Sequence, residues 1–296
     1  MHSREDRHLH RLEKIVAFAA LAAMFALGIG FAQAKGPAKD GEALVLRSSV
    51  ALVQDAASGE TLVAKNPDAP VPIASITKLM TALVILEHQV DLRQRVVISE
   101  EDTDTVKGTR SRLRTGSVFT RDELLLLALM SSENRAAAAL GRTFPGGTAA
   151  FVAEMNLRAK TLGMADTRFV DSSGLSPGNV SSAVDLARLI EAAHRHPLIR
   201  EYSTRESATV SVFGREQGYR NTNGLVRSEN WNIGLSKTGY ISEAGRCLVM
   251  RVRVASRELI VVLLDSWGKY SRIGDANRIR KWLEHHAAKG PAGRPG

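Results

Sequence analysis

The run Val71-Pro72-Ile73-Ala74-Ser75-Ile76-Thr77-Lys78-Leu79-Met80 continues as Thr81-Ala82-Leu83-Val84-Ile85-Leu86-Glu87. Between Leu79 and Leu86 only Thr81 is polar. A helix that is apolar nearly all round belongs in a protein interior, so Ser75 and Lys78 stand at the head of a buried helix. Residues three apart on a helix share a face and can touch. A lysine beside apolar surface loses hydration, which favours its neutral form, and a neutral amine can take a proton from a neighbouring hydroxyl. The pair therefore reads as a nucleophile with its base attached. A capping serine beside a lysine that snorkels to solvent would use the same two residues, so partners elsewhere in the chain must decide.

Two short motifs supply those partners. Ser132-Glu133-Asn134 falls between two apolar helical runs, and Lys237-Thr238-Gly239 is expected at the end of a strand, with a turn after it. Each alone has a structural explanation, a helix cap in the first case and a strand end in the second. Together with Ser75-Ile76-Thr77-Lys78, in this order, they match the three-motif signature of penicillin-binding proteins and class A β-lactamases. The runs Ile73 to Met80, Met130 to Ala138, Asn230 to Gly239 and Cys247 to Arg251 carry a closer likeness. On them the sequence resembles the low-molecular-mass D-alanyl-D-alanine peptidases, in particular their short endopeptidase branch, over most of residues 45–284.

Acyl transfer to a serine needs a base, a proton route to the leaving amine, donors for the oxyanion and a clamp for the substrate. Lys78 can be the base, Ser132 with Lys237 can return the proton, and Asn134 can hold either the substrate amide or Lys78. The resemblance further implies an oxyanion hole from the backbone N–H groups of Ser75 and Tyr240. It also implies a carboxylate site from Thr238 and Arg272, next to Gly239. The expected activity is hydrolysis of D-alanyl bonds in peptidoglycan cross-links through a Ser75 acyl-enzyme, inhibited by β-lactams. A carboxypeptidase that trims stem pentapeptides, or a non-catalytic penicillin-sensing wall protein, would keep the same fold. A class A β-lactamase needs a glutamate for deacylation, and Glu154-Met155-Asn156-Leu157-Arg158 lacks the E-x-x-L-N pattern. The chemistry requires no cofactor, and no H-E-x-x-H occurs to support zinc hydrolysis.

The fold implied by the resemblance is α+β: an antiparallel sheet flanked by helices, with a helical insertion over about 92–222. The strand patterning agrees with it. Ser49 to Gln54 and Thr61 to Ala64 form a hairpin, and Asn232 to Lys237, Cys247 to Val254 and Glu258 to Asp265 form a meander. Between them Leu124 to Met130, Ala136 to Thr143 and Thr148 to Leu162 read as helices, and Asp171 to Asn179 as loop. Ser182 and Asp185 form a capping box for a helix that ends before Pro197. A final helix over about Gly274 to His286 packs the C-terminus, with a disordered tail over about 285–296.

The 296 residues carry 44% hydrophobic and 24% charged side chains, ordinary globular values. The start departs from this: Arg4, Arg7, Arg11 and Lys14 precede an uncharged run from Ile15 to Phe31 and then Ala32-Gln33-Ala34. That is the grammar of a secretory signal over residues 1–34, cleaved after Ala34, with a flexible leader over 35–44. An uncleaved anchor is the alternative. Four basic and three acidic side chains leave with the signal, so the formal charge of +9 becomes +8. A basic exported chain suits an anionic polymer such as peptidoglycan, with weak membrane association, in the periplasm. Nucleic acid is not an expected partner, since the cations are dispersed. The single cysteine, Cys247, allows no internal disulfide and reads as a small core residue.

Overall fold

The computed structural model describes residues 44–288; the expected signal over 1–34 lies outside it, as do the leader except residue 44 and the tail beyond residue 288. The chain enters through β1 (Ser48–Asp55) and β2 (Thr61–Lys65). Their turn is tied by the Asp55 carboxylate, which accepts from the backbone N–H groups of Ala57 at 3.0 Å and Ser58 at 2.9 Å. A short strand, β3 (Val71–Pro72), leads to one 3-10 turn over Ala74–Thr77 and then to helix α1 (Lys78–Glu87). All of α1 from Lys78 to Ile85 is buried, as its apolar girth requires.

The insertion follows as β4 (Arg95–Val97), β5 (Val118–Thr120), α2 (Arg121–Met130), α3 (Asn134–Arg142) and α4 (Gly147–Thr161). It continues as β6 (Val180–Ser181), α5 (Ala183–His194), α6 (Pro197–Thr204), β7 (Ser207–Val212) and β8 (Arg215–Arg220). Thr120 and Glu123 close a full capping box on α2. The chain then returns to the main sheet through β9 (Asn232–Ile241), β10 (Gly245–Val254) and β11 (Arg257–Ser266), and ends in α7 (Ser271–Ala288).

The main sheet is antiparallel with strand order β2-β1-β11-β10-β9, which joins the two ends of the described chain at its centre and leaves β9 at one edge. Strand alternation divides its side chains between two cores. Val50, Leu52, Val249, Ile260 and Val262 pack under the helices of the insertion, with α1 and α5. Ala51, Val53, Leu248, Met250, Val261 and Leu263 pack under α7 through Ala276 and Ile279. The α+β architecture is the expected one.

The helix expected to end before Pro197 does so, at His194, and Pro197 then starts a further helix, α6, where its fixed φ and missing N–H suit the first turn. Three local expectations change. The segment before residue 222 also holds a hairpin, β7–β8, whose two-residue turn at Phe213 and Gly214 has φ of 50° and 74°. The capping box at α5 is half made, because Ser182 accepts from Asp185 N while the Asp185 carboxylate instead accepts from Asp166 N at 2.8 Å and Thr167 Oγ1 at 2.9 Å. Residues 285–288 continue α7 and do not begin a tail.

Candidate active site

Ser75 sits in the 3-10 turn before α1, and its preceding residue, Ala74, has φ of 48°, a left-handed conformation that costs a residue with a Cβ about 1–2 kcal/mol. The neighbouring chain is shaped to accept this. A methyl group on Gly174, itself at φ 83°, would lie 2.0 Å from the Ala74 carbonyl oxygen and 2.9 Å from Ser75 N. One on Gly239 would lie 2.9 Å from Ile73 O and 3.1 Å from Ser75 N. Two glycines from distant loops and strands therefore press on the peptide that presents the nucleophile.

Lys78 Nζ lies 2.9 Å from Ser75 Oγ, 2.7 Å from Asn134 Oδ1 and 2.6 Å from the carbonyl oxygen of Ser173. Its burial pushes the amine down from 10.5 to about 7, against the opposing charges of Asp171, Glu133 and Asp104. The three contacts have a chemical consequence. A neutral amine has two N–H donors and one lone pair, and Asn134 Oδ1 and Ser173 O accept only. They take both donors, so the lone pair is left facing Ser75 Oγ, whose O–H donates to it. That is the alignment a general base requires.

Ser132 follows α2 at φ 60°, the second left-handed corner of the site. Its Oγ accepts from Lys237 Nζ at 2.8 Å, and Lys237 also donates to Thr238 O at 2.9 Å. Lys237 is buried, and desolvation first, then the charges of Lys78 and Arg272, hold it well below the usual lysine range. Asn134 opens α3 and serves Lys78 with one end while its amide donates to Thr109 Oγ1 at 3.0 Å with the other. Of the two roles read for Asn134, the structure shows the hold on Lys78.

Lys237, Thr238 and Gly239 lie inside β9, not at its end: the strand runs on to Ile241, paired with β10 through Tyr240↔Arg246 and Gly239↔Cys247. Alternation turns Lys237 and Gly239 toward Ser132 and Ser75, and Thr238 and Tyr240 to the other side. Thr238 Oγ1 is 2.6 Å from Thr222 Oγ1, and Arg272, half-buried at the start of α7, donates to Gly239 O at 3.0 Å. The Tyr240 side chain is exposed under the Arg246 guanidinium, 4.5 Å from the ring centre.

Three contributors were invisible in the sequence reading. Ser173 acts through a backbone carbonyl, Thr109 and Thr222 through hydroxyls on irregular segments. Asp171 sets the first of these: its carboxylate accepts from Ser173 N at 2.7 Å, Gly174 N, Ser176 N at 2.9 Å and Asn179 Nδ2 at 2.8 Å. Only the Ser, Gly and Asn content of that loop hinted at such a turn. Glu154, weighed as a deacylating glutamate, is instead 3.3 Å from His88 on the outer side of α4. Cys247 is fully buried and burial pushes its thiol up to about 11, as suits a core residue.

An active serine with a lysine base, backed by a second serine and lysine on the facing elements, defines an acyl-transferring serine hydrolase of the penicillin-recognising class. The sequence matches the D-alanyl-D-alanine carboxypeptidase family, peptidase family S11, over residues 37–268, and the chain belongs to that family. It is a serine DD-peptidase. Among its relatives is a D-alanyl-D-alanine endopeptidase of Pseudomonas aeruginosa, 48% identical over 241 residues that cover 81% of this chain and 78% of the relative. Another, of the same name, from Escherichia coli K12, is 45% identical with the same coverage. The fold is similar to that of the Streptomyces K15 DD-transpeptidase (TM-score 0.74, 26% identity, 80% of this chain and 97% of the other). It is also similar to that of penicillin-binding protein D2 from Listeria monocytogenes in its cefotaxime-bound form (TM-score 0.71, 28% identity, 81% and 98%).

Proposed function

We propose that the chain hydrolyses the D-alanyl peptide bond of peptidoglycan cross-links, in preference to removing terminal D-alanine from free stem peptides. The observation that carries the chemistry is the position of Lys78 Nζ, 2.9 Å from Ser75 Oγ and held by Asn134 Oδ1 and Ser173 O, which as acceptors leave the lone pair of the neutral amine for Ser75. Lys78 takes the Ser75 proton as Oγ attacks the D-alanyl carbonyl. The N–H groups of Ser75 and Tyr240 receive the oxyanion, and Thr238 with Arg272 binds the substrate carboxylate. Ser132 passes its hydroxyl proton to the leaving amine as the C–N bond breaks and takes one from Lys237. Water then attacks the acyl carbon, its proton returning to Lys237 through Ser132, while Lys78 gives its proton back to Ser75 Oγ as the new acid leaves. With Glu154 on the surface, a β-lactam acylates Ser75 and is released slowly.

The preference for cross-links is supported by the two relatives that are D-alanyl-D-alanine endopeptidases by name. The setting we propose is the periplasm, reached through a signal cleaved after Ala34, with the basic chain drawn to the anionic wall and weakly to the membrane surface. Purified protein incubated separately with cross-linked dimers and monomeric pentapeptides tests the substrate. Loss of terminal D-alanine from monomers with dimers untouched would make it a carboxypeptidase. Intact-mass measurement after penicillin treatment tests the nucleophile: one adduct on wild type and none on Ser75→Ala.

A further inference from the structure

The end of the main sheet beside the active site carries a group of exposed aromatics that the acyl-transfer chemistry does not use. Trp267 is 85% exposed, Tyr270 71% and Tyr240 57%. The register sets Tyr240 and the end of β11 at the same end of the sheet: Arg246 pairs with Tyr240 on one side and with Ser266 on the other, Trp267 follows Ser266, and Tyr270 comes three residues later, just before α7. Two strand spacings separate Tyr240 from Ser266, about 10 Å. Cations interleave the rings, with Arg246 over Tyr240 at 4.5 Å and Lys269 over Tyr270 at 5.4 Å. Large aromatic rings left in water in a cluster mark a contact surface.

Continuity with the catalytic groove says what that surface meets. Tyr240 follows Lys237-Thr238-Gly239 on the same edge strand, and Arg272, two residues beyond Tyr270, donates to Gly239 O at 3.0 Å. A polymer whose D-alanyl peptide lies along β9 therefore extends across this end of the sheet. A sugar chain presents flat C–H faces that stack on aromatic rings, and the carboxylates of the peptides attached to it suit Arg246 and Lys269.

We infer that Trp267, Tyr270 and Arg246 form a shelf that holds the glycan strand of the wall while the attached peptide is cleaved at Ser75. The inference rests on the cross-link reading of the substrate and adds a subsite that recognises the sugar backbone itself. An enzyme so equipped acts on intact wall better than on soluble fragments.

The test compares wild type with Trp267→Ala/Tyr270→Ala on three probes: peptide-free glycan strands, phosphatidylglycerol vesicles and isolated cross-linked dimers. Wild type binds the glycan strands, and the variant binds them roughly tenfold more weakly. Both proteins cleave the soluble dimers at the same kcat and unfold at the same temperature. Absence of glycan binding by wild type, or equal binding by the two proteins, overturns the shelf. So does a loss confined to the vesicles, which would make the rings a membrane contact. If wild type leaves dimers intact, the cross-link reading fails, and the glycan comparison still judges the shelf. Should the double variant not fold, Trp267→Gln alone is held to the same criteria.

Discussion

Replacing Asn134 by Asp changes one atom type at a position whose geometry is fully determined, and so tests the lone-pair argument directly. Asn134 Oδ1 lies 2.7 Å from Lys78 Nζ, and its amide nitrogen 3.0 Å from Thr109 Oγ1. A carboxylate fits the same space, although the one Thr109 hydroxyl proton, which now goes to Asp104 Oδ2 at 2.6 Å, has to turn from Asp104 to meet it. What changes is charge. A full negative charge at roughly 4 Å from the amine, at an effective dielectric of about 20, is worth about 4 kcal/mol in favour of the ammonium. At 1.36 kcal/mol per pH unit, that moves the Lys78 midpoint upward by about three pH units from its present value. With burial holding the Lys78 amine down to about 7, roughly half of it is competent at neutrality. In the variant the competent fraction there falls on the order of 500-fold. The assay is the rate of Ser75 acylation by a fluorescent penicillin, followed from pH 5 to pH 10 with circular dichroism as the check on folding. Wild-type rates should fall tenfold per pH unit below about 7, and the variant should recover most of its lost rate toward pH 10. A folded variant whose midpoint stays near that of wild type would refute the assignment of Lys78 as base in this contact set.

Three further outcomes follow from the same structure. Gly174→Ala places a methyl 2.0 Å from Ala74 O at φ 83°; the backbone must shift by about 1 Å, and acylation should slow on the order of 100-fold while the protein still folds. Asp275→Asn turns one of two accepting oxygens into an NH2 donor: Oδ1 now accepts from Arg47 N at 3.0 Å and Oδ2 from Ser48 N at 2.7 Å and Ser48 Oγ at 2.6 Å, so a single amide oxygen cannot serve both groups of donors. The substitution should cost about 3 kcal/mol, read as a fall of roughly 10 °C in the thermal midpoint. Burial alone would raise the Asp275 pKa, yet the bonds from Ser48, Arg47 and Arg278 hold it below the usual value. Its contribution to stability is therefore complete above about pH 4 and lost as pH falls further, so wild type should lose more stability in acid than Asp275→Asn does.

The sequence reading captured the parts of the site written in side chains at short spacing. Ser75 with Lys78, Ser132 with Asn134, and Lys237 all converge as read. The sheet was legible because β10 alternates Met250, Val252 and Val254 against Arg251 and Arg253, a period that only a strand satisfies. What escaped was carried by the backbone or decided by tertiary contact. The Ser173 carbonyl has no sequence signature; it points at Lys78 because Asp171 gathers the N–H groups of the loop around it. The Lys237-Thr238-Gly239 run looked like a strand end because Gly239 reads as a breaker. In the fold it continues the strand, its missing Cβ leaving room for Ile73 and Ser75. The β7–β8 hairpin was hidden because only Val210, Val212 and Tyr219 are buried in it, too few for a pattern. The helix before Pro197 ends where it was read to end, and what went unread is the short helix α6 that Pro197 itself opens.

The central pairing of β1 with β11 also governs the order in which the protein can come into being. Ser48 and Ser266, whose hydroxyls meet at 2.6 Å, are separated by 218 residues of sequence. A chain made from its N-terminus can form the helices of the insertion early, since their contacts are local. It cannot close the sheet until the last strand has emerged, and contacts between such distant segments form slowly. Lys237 and Gly239 have no platform before then, so Ser75 stays without its facing wall. A partly synthesised or still extended chain thus holds its nucleophile and its base but lacks the facing wall that Lys237 and Gly239 supply, and the groove is complete only once β1 and β11 have met.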